Sequence, residues 1–537
     1  MGDTRPDGYG AIERDDGPEL SRLIAAAAEP LPPPDDAEEF GACFGRFGQA
    51  RVVLLGEATH GTSEFYRARA AVTRRLIERH GFNIVALEAD WPDAARLDRW
   101  VRDRPSAAPA DGPAFARFPT WMWRNAEMRD FVGWLRARNA ALPPERRAAV
   151  RGLDIYSLGA SIESVLGYLD RNDPGAARAA RRRYGCLTPW HAEPEDYGRA
   201  VLFGAREPCE EAAVAQLRDL LEKRVRPVAD DPEALFDATQ NARVVRSAEQ
   251  YYRLMYRSGT ESWNLRDRHM FDTLRALLDR GGPEAKAVVW AHNSHIGNAA
   301  ATAMGWQGEF NIGELCRTAF GDEAALIGFG TDRGTVAAAS DWGGPVEFKR
   351  VRPAMPGSHE ALFRGSGAGR ALLDLRGRSD VREALARPRL ERAIERGLPA
   401  GHRAAEPLLR RGAARAVRRL RLVRGDHGRH PPGRGGPGGG GGNLPLRRVR
   451  RNAMADREND GERQGRAAQE PPAEKASPTP PPAGTGVGGG ARGTASGHNP
   501  GGTLPGGGGP GAGLGSLGTG GASTGGAPTG SWKRGGR

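Results

Sequence analysis

The 537-residue sequence lacks several features that mark secreted or membrane-spanning proteins. It has no apolar leader after Met1 and no run of 18 apolar residues, so neither a signal peptide nor a spanning helix is expected. Its cysteines include no Cys-x-x-Cys pair, which argues against a zinc ribbon or a disulfide scaffold and is compatible with a reducing cytoplasm. We therefore expect a cytoplasmic protein that does not associate with membranes. The cysteines are Cys43, Cys186, Cys209 and Cys316.

Aromatic and acidic residues are scarce in the C-terminal part of the chain. Residues 391–537 contain one of the 36 aromatic residues and 39 of the 76 glycines. They carry 24 Lys and Arg against 10 Asp and Glu, whereas residues 1–390 have a net charge of −2. A segment of this composition cannot bury enough apolar surface to offset its chain entropy. We predict a flexible leader at 1–17, a folded domain at 18–390 and a disordered, low-complexity Arg/Gly/Pro-rich tail at 391–537.

Lysine is also rare, with five residues against 73 arginines. This skew is typical of a GC-rich genome and does not by itself indicate phosphate binding. The tail has no aromatic residue on which bases could stack before Trp532. We therefore expect no specific nucleic-acid partner, although the basic tail could bind a polyanion by charge alone.

The sequence predicts an α/β fold with a mainly parallel central sheet flanked by helices. Five apolar runs are continuous rather than alternating, which is typical of strands covered on both faces. Thr62 or Ser63 begins a helix of about 63–80 between the first two runs, and this β-α-β unit makes its strands parallel. Residues 159–280 predict a large helical insertion. The runs lie at about 52–55, 83–88, 148–154, 287–291 and 325–329.

Titratable side chains follow four of the predicted strands. Ligands bind beyond the carboxyl ends of parallel strands, so these groups are expected to surround one cleft. Histidines and carboxylates gathered in a cleft perturb one another's pKa values, which is typical of an active site. The groups are Glu57 and His60 after the first strand, Glu88 and Asp90 after the second, Asp154 after the third, and His292 and His295 after the fourth.

Each of these residues also has a structural interpretation when it is taken alone. Glu57 could cap the following helix, and His60 could be a turn residue. Glu88 could pair with an arginine such as Arg69. The two later histidines could be ordinary hydrogen-bonded residues. Their occurrence together, at four strand ends, is what favours a functional site.

Motifs of several common enzyme classes are missing from the part of the chain predicted to fold. It has no Gly-x-Ser-x-Gly elbow, no P-loop and no Gly-x-Gly-x-x-Gly between a strand and a helix. No cysteine lies beside the histidines that follow the strands. Histidine with carboxylate and no evident nucleophile indicates hydrolysis by activated water.

Five blocks of the sequence, in the expected order over about 40–390, resemble the erythromycin esterase family. This resemblance implies a carboxylic ester hydrolase, and the known substrates of the family's antibiotic-resistance members are macrolide-type lactones. We therefore expect a small-molecule ester or lactone substrate and no cofactor. The blocks are Gly56-Glu-Ala-Thr-His-Gly61 with Glu64, Leu87-Glu-Ala-Asp-Trp91, Arg151-Gly-Leu-Asp-Ile-Tyr156, Asn264-Leu-Arg-Asp-Arg-His-Met270 and Trp290-Ala-His-Asn-Ser-His295.

The resemblance also implies which residues are catalytic. As a hypothesis, His60 removes a proton from water, and that water attacks the ester carbonyl. Glu57 or Glu88 orients the imidazole, and Arg69 with one of the later histidines stabilises the tetrahedral oxyanion. The family's functional positions fall on Glu57, His60, Arg69, Glu88, His292 and His295.

Four further residues are predicted to contact the substrate. Trp91, Trp121 and Trp123 could form the wall of an apolar pocket, although tryptophan is found in the core at least as often. Asp154, at the end of the third strand, is expected beside them.

Two alternatives remain open for the chemistry of the site. The chain could be an inactive or ligand-binding member of the same fold. His292-x-x-His295 with nearby carboxylates could instead hold zinc and a water molecule in a metal-dependent hydrolase.

The resemblance fades near Ile394. The composition beyond that point is the one that out-of-frame reading of GC-rich DNA produces. We therefore hypothesise that the reading frame changes near residue 394.

Overall fold

A computed structural model describes most of the predicted folded domain and two short segments beyond it. The predicted leader, except for its last two residues, and most of the predicted tail lie outside the described residues. The described ranges are 16–104, 114–116, 120–225, 231–340, 344–394, 408–411 and 419–422.

Twelve strands occur in the described ranges. They are β1 (Glu29–Pro30), β2 (Val52–Leu55), β3 (Ile84–Asp90), β4 (Ala149–Asp154), β5 (Ala287–Trp290), β6 (Ala324–Gly330), β7 (Gly334–Ala338), β8 (Glu347–Val351), β9 (Ala371–Asp374), β10 (Arg389–Arg392), β11 (Leu408–Arg411) and β12 (Arg419–Leu422).

Helices surround these strands, and none in the described part of the chain is both long and apolar enough to cross a membrane. The α-helices are α1 (Gly17–Ala27), α2 (Ala37–Ala42), α3 (Ser63–His80), α4 (Trp91–Val101), α5 (Thr120–Trp123), α6 (Ala126–Ala140), α7 (Leu158–Asn172), α8 (Pro174–Tyr184), α9 (Pro194–Leu202), α10 (Glu210–Val225), α11 (Pro232–Leu254), α12 (Gly259–Gly281), α13 (Asn293–Ile296), α14 (Ala303–Trp306), α15 (Ile312–Phe320), α16 (His359–Gly365) and α17 (Ser379–Ala384).

The central sheet has eight strands in the order β1-β9-β12-β6-β2-β5-β3-β4. The six strands from β12 to β4 run parallel, while β9 is antiparallel to β12 and β1 is antiparallel to β9. The predicted α/β class with a mainly parallel sheet is confirmed. Because β5 lies between β2 and β3, the loops that follow these three strands are neighbours.

The sheet is covered on both faces, which explains why its strands are continuously apolar. Val53 and Leu55 of β2 belong to a core cluster with residues of α3 and α6, such as Phe131. Val52 and Leu54 belong to a second cluster with residues of α12 and α15. All four β2 side chains are fully buried, and each contributes about 1.5–3 kcal/mol to stability.

The chain between β4 and β5 forms α7 to α12, which is the predicted helical insertion. It has a core of its own that includes Tyr184, Tyr197 and Tyr252. A disulfide joins Cys186 and Cys209, 23 residues apart, within this insertion. The scattered spacing of the cysteines does not predict this link.

The C-terminal segments extend past the predicted domain boundary at residue 390, which falls inside β10. The amide of Ile394 donates to the carbonyl of Ala58 at 2.7 Å, so the chain after β10 contacts the loop that follows β2. Two strands also occur in the segment predicted to be disordered: β11 pairs with β10, and β12 lies in the central sheet.

Candidate active site

The loop after β2 places Glu57 and His60 at the carboxyl end of the sheet. Two glycines allow this path, because a Cβ on Gly56 would lie 2.1 Å from Oδ1 of Asn293 and one on Gly61 would lie 1.9 Å from a backbone oxygen. The amide of Asn293 donates to the Glu57 carbonyl at 2.8 Å, which joins this loop to the one after β5. The loop that follows β2 therefore places Glu57 and His60 beside the loop that follows β5.

Glu57 and His60 form a buried hydrogen-bonded pair. Nδ1 of His60 lies 2.9 Å from Oε1 of Glu57. A carboxylate accepts only, so the ring proton of neutral His60 is assigned to Nδ1 and the lone pair to Nε2. Nε2 makes no hydrogen bond to the described residues. His60 is therefore arranged as a base.

Arg69 lies beneath this pair and is fully buried. Its Nη2 is 2.7 Å from Oε2 of Glu57, a close ion pair whose angle is not that of a regular hydrogen bond. The guanidinium also lies over the rings of Tyr66 and Trp290, at 4.4 and 5.0 Å from their centroids. These contacts hold Glu57 in place, and none of them supports the hypothesised role of Arg69 at the oxyanion.

An irregularity in β3 sets the direction of the Glu88 side chain. The register of β3 with β4 shifts between Leu87 and Asp90, and a bulge of this kind re-aims a side chain. Oε1 of Glu88 accepts from Nη2 of Arg266 at 2.7 Å, and Oε2 accepts from the backbone amide of His292 at 2.8 Å. Burial favours the protonated form, but His295 and Arg266 hold the pKa of Glu88 well below its usual range.

Arg266 of α12 connects three of the predicted site residues. It makes a bidentate pair with Asp154, with Nε to Oδ1 at 2.9 Å and Nη2 to Oδ2 at 2.7 Å. Its Nη1 lies 2.9 Å from Nε2 of His295, and its Nη2 reaches Glu88. Asp154 thus has a structural partner, and Arg266 is a site residue to which the sequence hypothesis assigned no role.

His295 is enclosed by charged and aromatic groups. Its Nδ1 lies 2.9 Å from Oδ2 of Asp267, and its ring stacks on Trp263 with centroids 4.5 Å apart. Burial lowers the pKa of His295, but Asp267 and Glu88 raise it to about 9 overall. Arg266 opposes that rise. Asp267 is the second residue that the sequence hypothesis missed.

His292 lies beside His60, with ring centroids 5.0 Å apart. Its Nδ1 accepts from the backbone amide of Ser294 at 3.2 Å, which assigns the ring proton to Nε2. Burial and the neighbouring His60 hold the pKa of His292 well below its usual range, against smaller opposing effects of Glu88 and, more weakly, of the Ala58 carbonyl. Nε2 is buried and makes no hydrogen bond of regular geometry to the described residues, so its N–H can donate to an acceptor in the site.

The three tryptophans predicted to contact substrate lie in different surroundings. Trp91 is in the core, where its Nε1 donates to Oδ1 of Asp237 at 2.8 Å. Trp123 is also buried and donates to the carbonyl of Glu88 at 3.0 Å. Trp121 is partly exposed and packs at the edge of the core. Substrate contact stays a prediction for all three tryptophans, and the hydrogen bonds of Trp91 and Trp123 are to protein groups.

The described residues do not favour the metal-dependent alternative. No group of three or more His, Cys, Asp and Glu side chains converges on a metal position within the described ranges. Both ring nitrogens of His295 face protein groups, and one of them faces the cationic Arg266, which would repel a metal ion.

Comparison of the sequence with known proteins shows the family to which this chain belongs. The family model described as erythromycin esterase matches residues 77–407. Erythromycin esterase type II of Escherichia coli is 23% identical over 360 residues, covering 62% of this chain and 83% of that protein. The type I enzyme of the same organism is 23% identical over 282 residues, covering 49% of this chain and 65%, just under two thirds, of that protein.

Solved structures show the same fold. A succinoglycan biosynthesis protein has 18% identity and a TM-score of 0.62, covering 78% of this chain and 98% of that one. An erythromycin esterase mutant in its open conformation has 18% identity and a TM-score of 0.50, covering 72% and 94%. The family model begins after Glu57, His60 and Arg69, so the roles of these three rest on geometry. On the family match, the chain belongs to the erythromycin esterase family.

Proposed function

We propose that this chain hydrolyses a carboxylic ester or a macrolide-type lactone by attack of water activated by His60. The observation that carries the proposal is the Glu57–His60 pair, which lies beside His292. Among the described residues, Nε2 of His60 makes no hydrogen bond and Nε2–H of His292 makes none of regular geometry. A base and an oxyanion donor in this arrangement are what ester hydrolysis by water requires.

The reaction follows from these two imidazoles. Nε2 of His60 takes a proton from water as the water oxygen bonds to the ester carbonyl carbon, and Glu57 stabilises the imidazolium. The carbonyl oxygen becomes an oxyanion that accepts from Nε2–H of His292. When the intermediate collapses, the carbon–oxygen bond to the alcohol breaks and the His60 proton passes to the leaving oxygen. The products are a carboxylic acid and an alcohol, joined in one molecule when the substrate is a lactone.

Glu88 supports this chemistry without touching the reacting atoms. It accepts from the backbone amide of His292, and its own position is held by Arg266. We assign Glu88, Arg266 and Arg69 as positioning residues. The names of the two Escherichia coli relatives suggest erythromycin as the first substrate to test.

The direct test is hydrolysis by the His60→Ala variant. We expect erythromycin or a simple aryl ester to be hydrolysed by the wild type, with turnover reduced about a thousandfold by the substitution. His191→Ala, which changes a histidine outside the site, is the matched control and should behave like the wild type. Mass spectrometry should show the gain of one water by the lactone. Wild-type turnover by His60→Ala would overturn the mechanism, and no hydrolysis of any ester by the wild type would overturn the function.

A further inference from the structure

A cavity of about 560 Å³ lies between α10, α11 and α12, apart from the candidate active site. Its volume falls within the roughly 300–1,000 Å³ of small-molecule sites. Glu57, His60, Glu88, His292 and His295 do not line it, and the proposed hydrolysis does not use it.

We propose that this cavity binds an organic anion with an apolar body, in which a carboxylate or phosphate group is attached to a hydrocarbon chain. The charged groups around the cavity are the first reason. Four of its lining residues are cationic and two are anionic, which leaves an excess of positive charge. They are Arg243, Arg246, Arg268, Arg275, Asp272 and Asp279.

Three of these arginines have no acidic partner within the described part of the chain. Among the described residues, Arg246 makes no ion pair, and the contacts of Arg268 and Arg275 are with the rings of Phe310 and Phe271 at 4.9 and 5.9 Å. Like charges around one cavity repel each other, and an anion placed between them relieves that repulsion. Guanidinium groups recognise carboxylate and phosphate oxygens by charge-assisted hydrogen bonds.

His269 supplies the second, independent reason. It lines the cavity and is only 6% exposed, and its Nδ1 lies 3.0 Å from Oγ of Ser247. Its Nε2 is buried and has no hydrogen-bond partner among the described residues. With the Ser247 hydroxyl donating to Nδ1, the ring proton is assigned to Nε2. A buried donor without an acceptor is costly, so a ligand oxygen is the expected partner.

Apolar side chains define the other part of the ligand. Leu217 and Leu221 of α10 and Leu265 and Ala276 of α12 line the same cavity. A small inorganic ion would leave these groups facing water, whereas a hydrocarbon chain would cover them. The two kinds of lining together select an amphipathic anion.

Calorimetric titration of the full chain tests the proposal with octanoate, octyl phosphate and uncharged octanol as probes. We expect at least one of the two anions to bind in a one-to-one complex, at least about tenfold more tightly than octanol. Tighter binding of octyl phosphate would identify a phosphorylated ligand, and tighter binding of octanoate a carboxylate. Equal binding of octanol, or no binding of either anion, would overturn the proposal.

Variants locate the binding site. Arg246→Gln/Arg268→Gln removes two exposed cations of the cavity and should weaken anion binding at least about tenfold. Arg218→Gln is the matched control, since this exposed α10 arginine does not line the cavity. His60→Ala should bind the anion like the wild type, which separates this cavity from the proposed active site and from the fate of the hydrolysis proposal. Unchanged binding by the folded double variant would show that the anion binds elsewhere.

Discussion

Two imidazoles of the site each contact a buried carboxylate that is itself paired with an arginine. His60 contacts Glu57, which pairs with Arg69, and His295 contacts Glu88, which pairs with Arg266. Buried charges persist only when they are paired, because taking an isolated ion out of water costs several kcal/mol. The arginines therefore compensate the buried carboxylates electrostatically beside the histidines.

Removal of Arg69 should destabilise the protein through Glu57. Arg69→Gln leaves a buried carboxylate without its cation, and we expect a loss of about 3–5 kcal/mol in the free energy of unfolding. Glu57→Gln/Arg69→Gln should cost less than the sum of the single changes, because the two charges are lost together. Urea denaturation measures each value. Arg67→Gln, on the same helix but partly exposed, is the control and should cost no more than about 1 kcal/mol. Strict additivity would contradict the pairing.

The raised pKa of His295 predicts a pH dependence of stability. Its pKa of about 9 in the folded protein lies above the ordinary 6.5, so the folded state holds a proton that the unfolded state has released. The resulting stabilisation is complete below pH 6.5 and is lost as the pH rises to 9, by about 3 kcal/mol. Asp267→Asn should flatten this loss in denaturation series across the window, whereas exposed Asp130→Asn should leave it unchanged. An equally steep loss in Asp267→Asn would show that another group titrates.

The sequence predicts the site's histidines and carboxylates better than it predicts their partners. Glu57, His60 and Glu88 follow apolar strands, and that position alone predicts proximity because parallel strands end at one edge. Arg266 and Asp267 lie within a helix, where nothing in the local pattern distinguishes a buried charge from an exposed one. Both residues lie in the block Asn264–Met270 that resembles the family, and this was the sequence feature that could have identified them.

The loops after β2, β3 and β5 act as one structural unit. The backbone N–H of Asn293 joins the β5 loop to the carbonyl of Glu57. Its side-chain Nδ2 donates to the carbonyl of Phe329 in β6 at 3.0 Å. Gly56 is packed against this same asparagine. The position of His292 beside His60 therefore depends on contacts between loops that are far apart in sequence.

A side chain at Gly56 should disturb this unit. Gly56→Ala places a methyl group 2.1 Å from Oδ1 of Asn293 and 2.8 Å from Cγ1 of Ile296, so these buried side chains or the β5 loop must shift. We expect a loss of about 1–3 kcal/mol in stability together with most of the hydrolytic activity. Gly133→Ala is the control, since a Cβ at that position in α6 meets no atom within 4 Å and alanine favours helix. Denaturation and ester turnover measure both effects. Full activity in Gly56→Ala would show that the loop contact is not required.

The positions of the strands follow from the sequence, but their order does not. The runs predicted at 52–55 and 287–291 agree with β2 and β5 to within a residue, because a strand buried on both faces must be continuously apolar. Which strand pairs with which depends on long-range packing that no local pattern encodes. The bulge at Glu88 cannot be predicted from the local sequence either, because it arises from the pairing of β3 with β4.

The completeness of the central sheet depends on a segment for which the sequence predicts disorder. β12 pairs in parallel with β6 over three residues and antiparallel with β9 over four. Without it, β6 and β9 would both present open edges, and open edges invite association between chains. The hypothesis of a changed reading frame and the pairing of β12 thus lead to different expectations for the same residues.

Truncation distinguishes these expectations. A chain of residues 1–405 loses β11 and β12, whereas a chain of residues 1–430 keeps both and loses only later residues. Each backbone hydrogen bond contributes about 0.5–1.5 kcal/mol, so removal of the β12 pairings should lower the free energy of unfolding by about 3 kcal/mol or more. The 1–405 chain should also associate through its open edges, which light scattering detects, while the 1–430 chain should match the full chain. Equal stability of the two truncated chains would show that β12 contributes nothing, and would favour a disordered segment after residue 394.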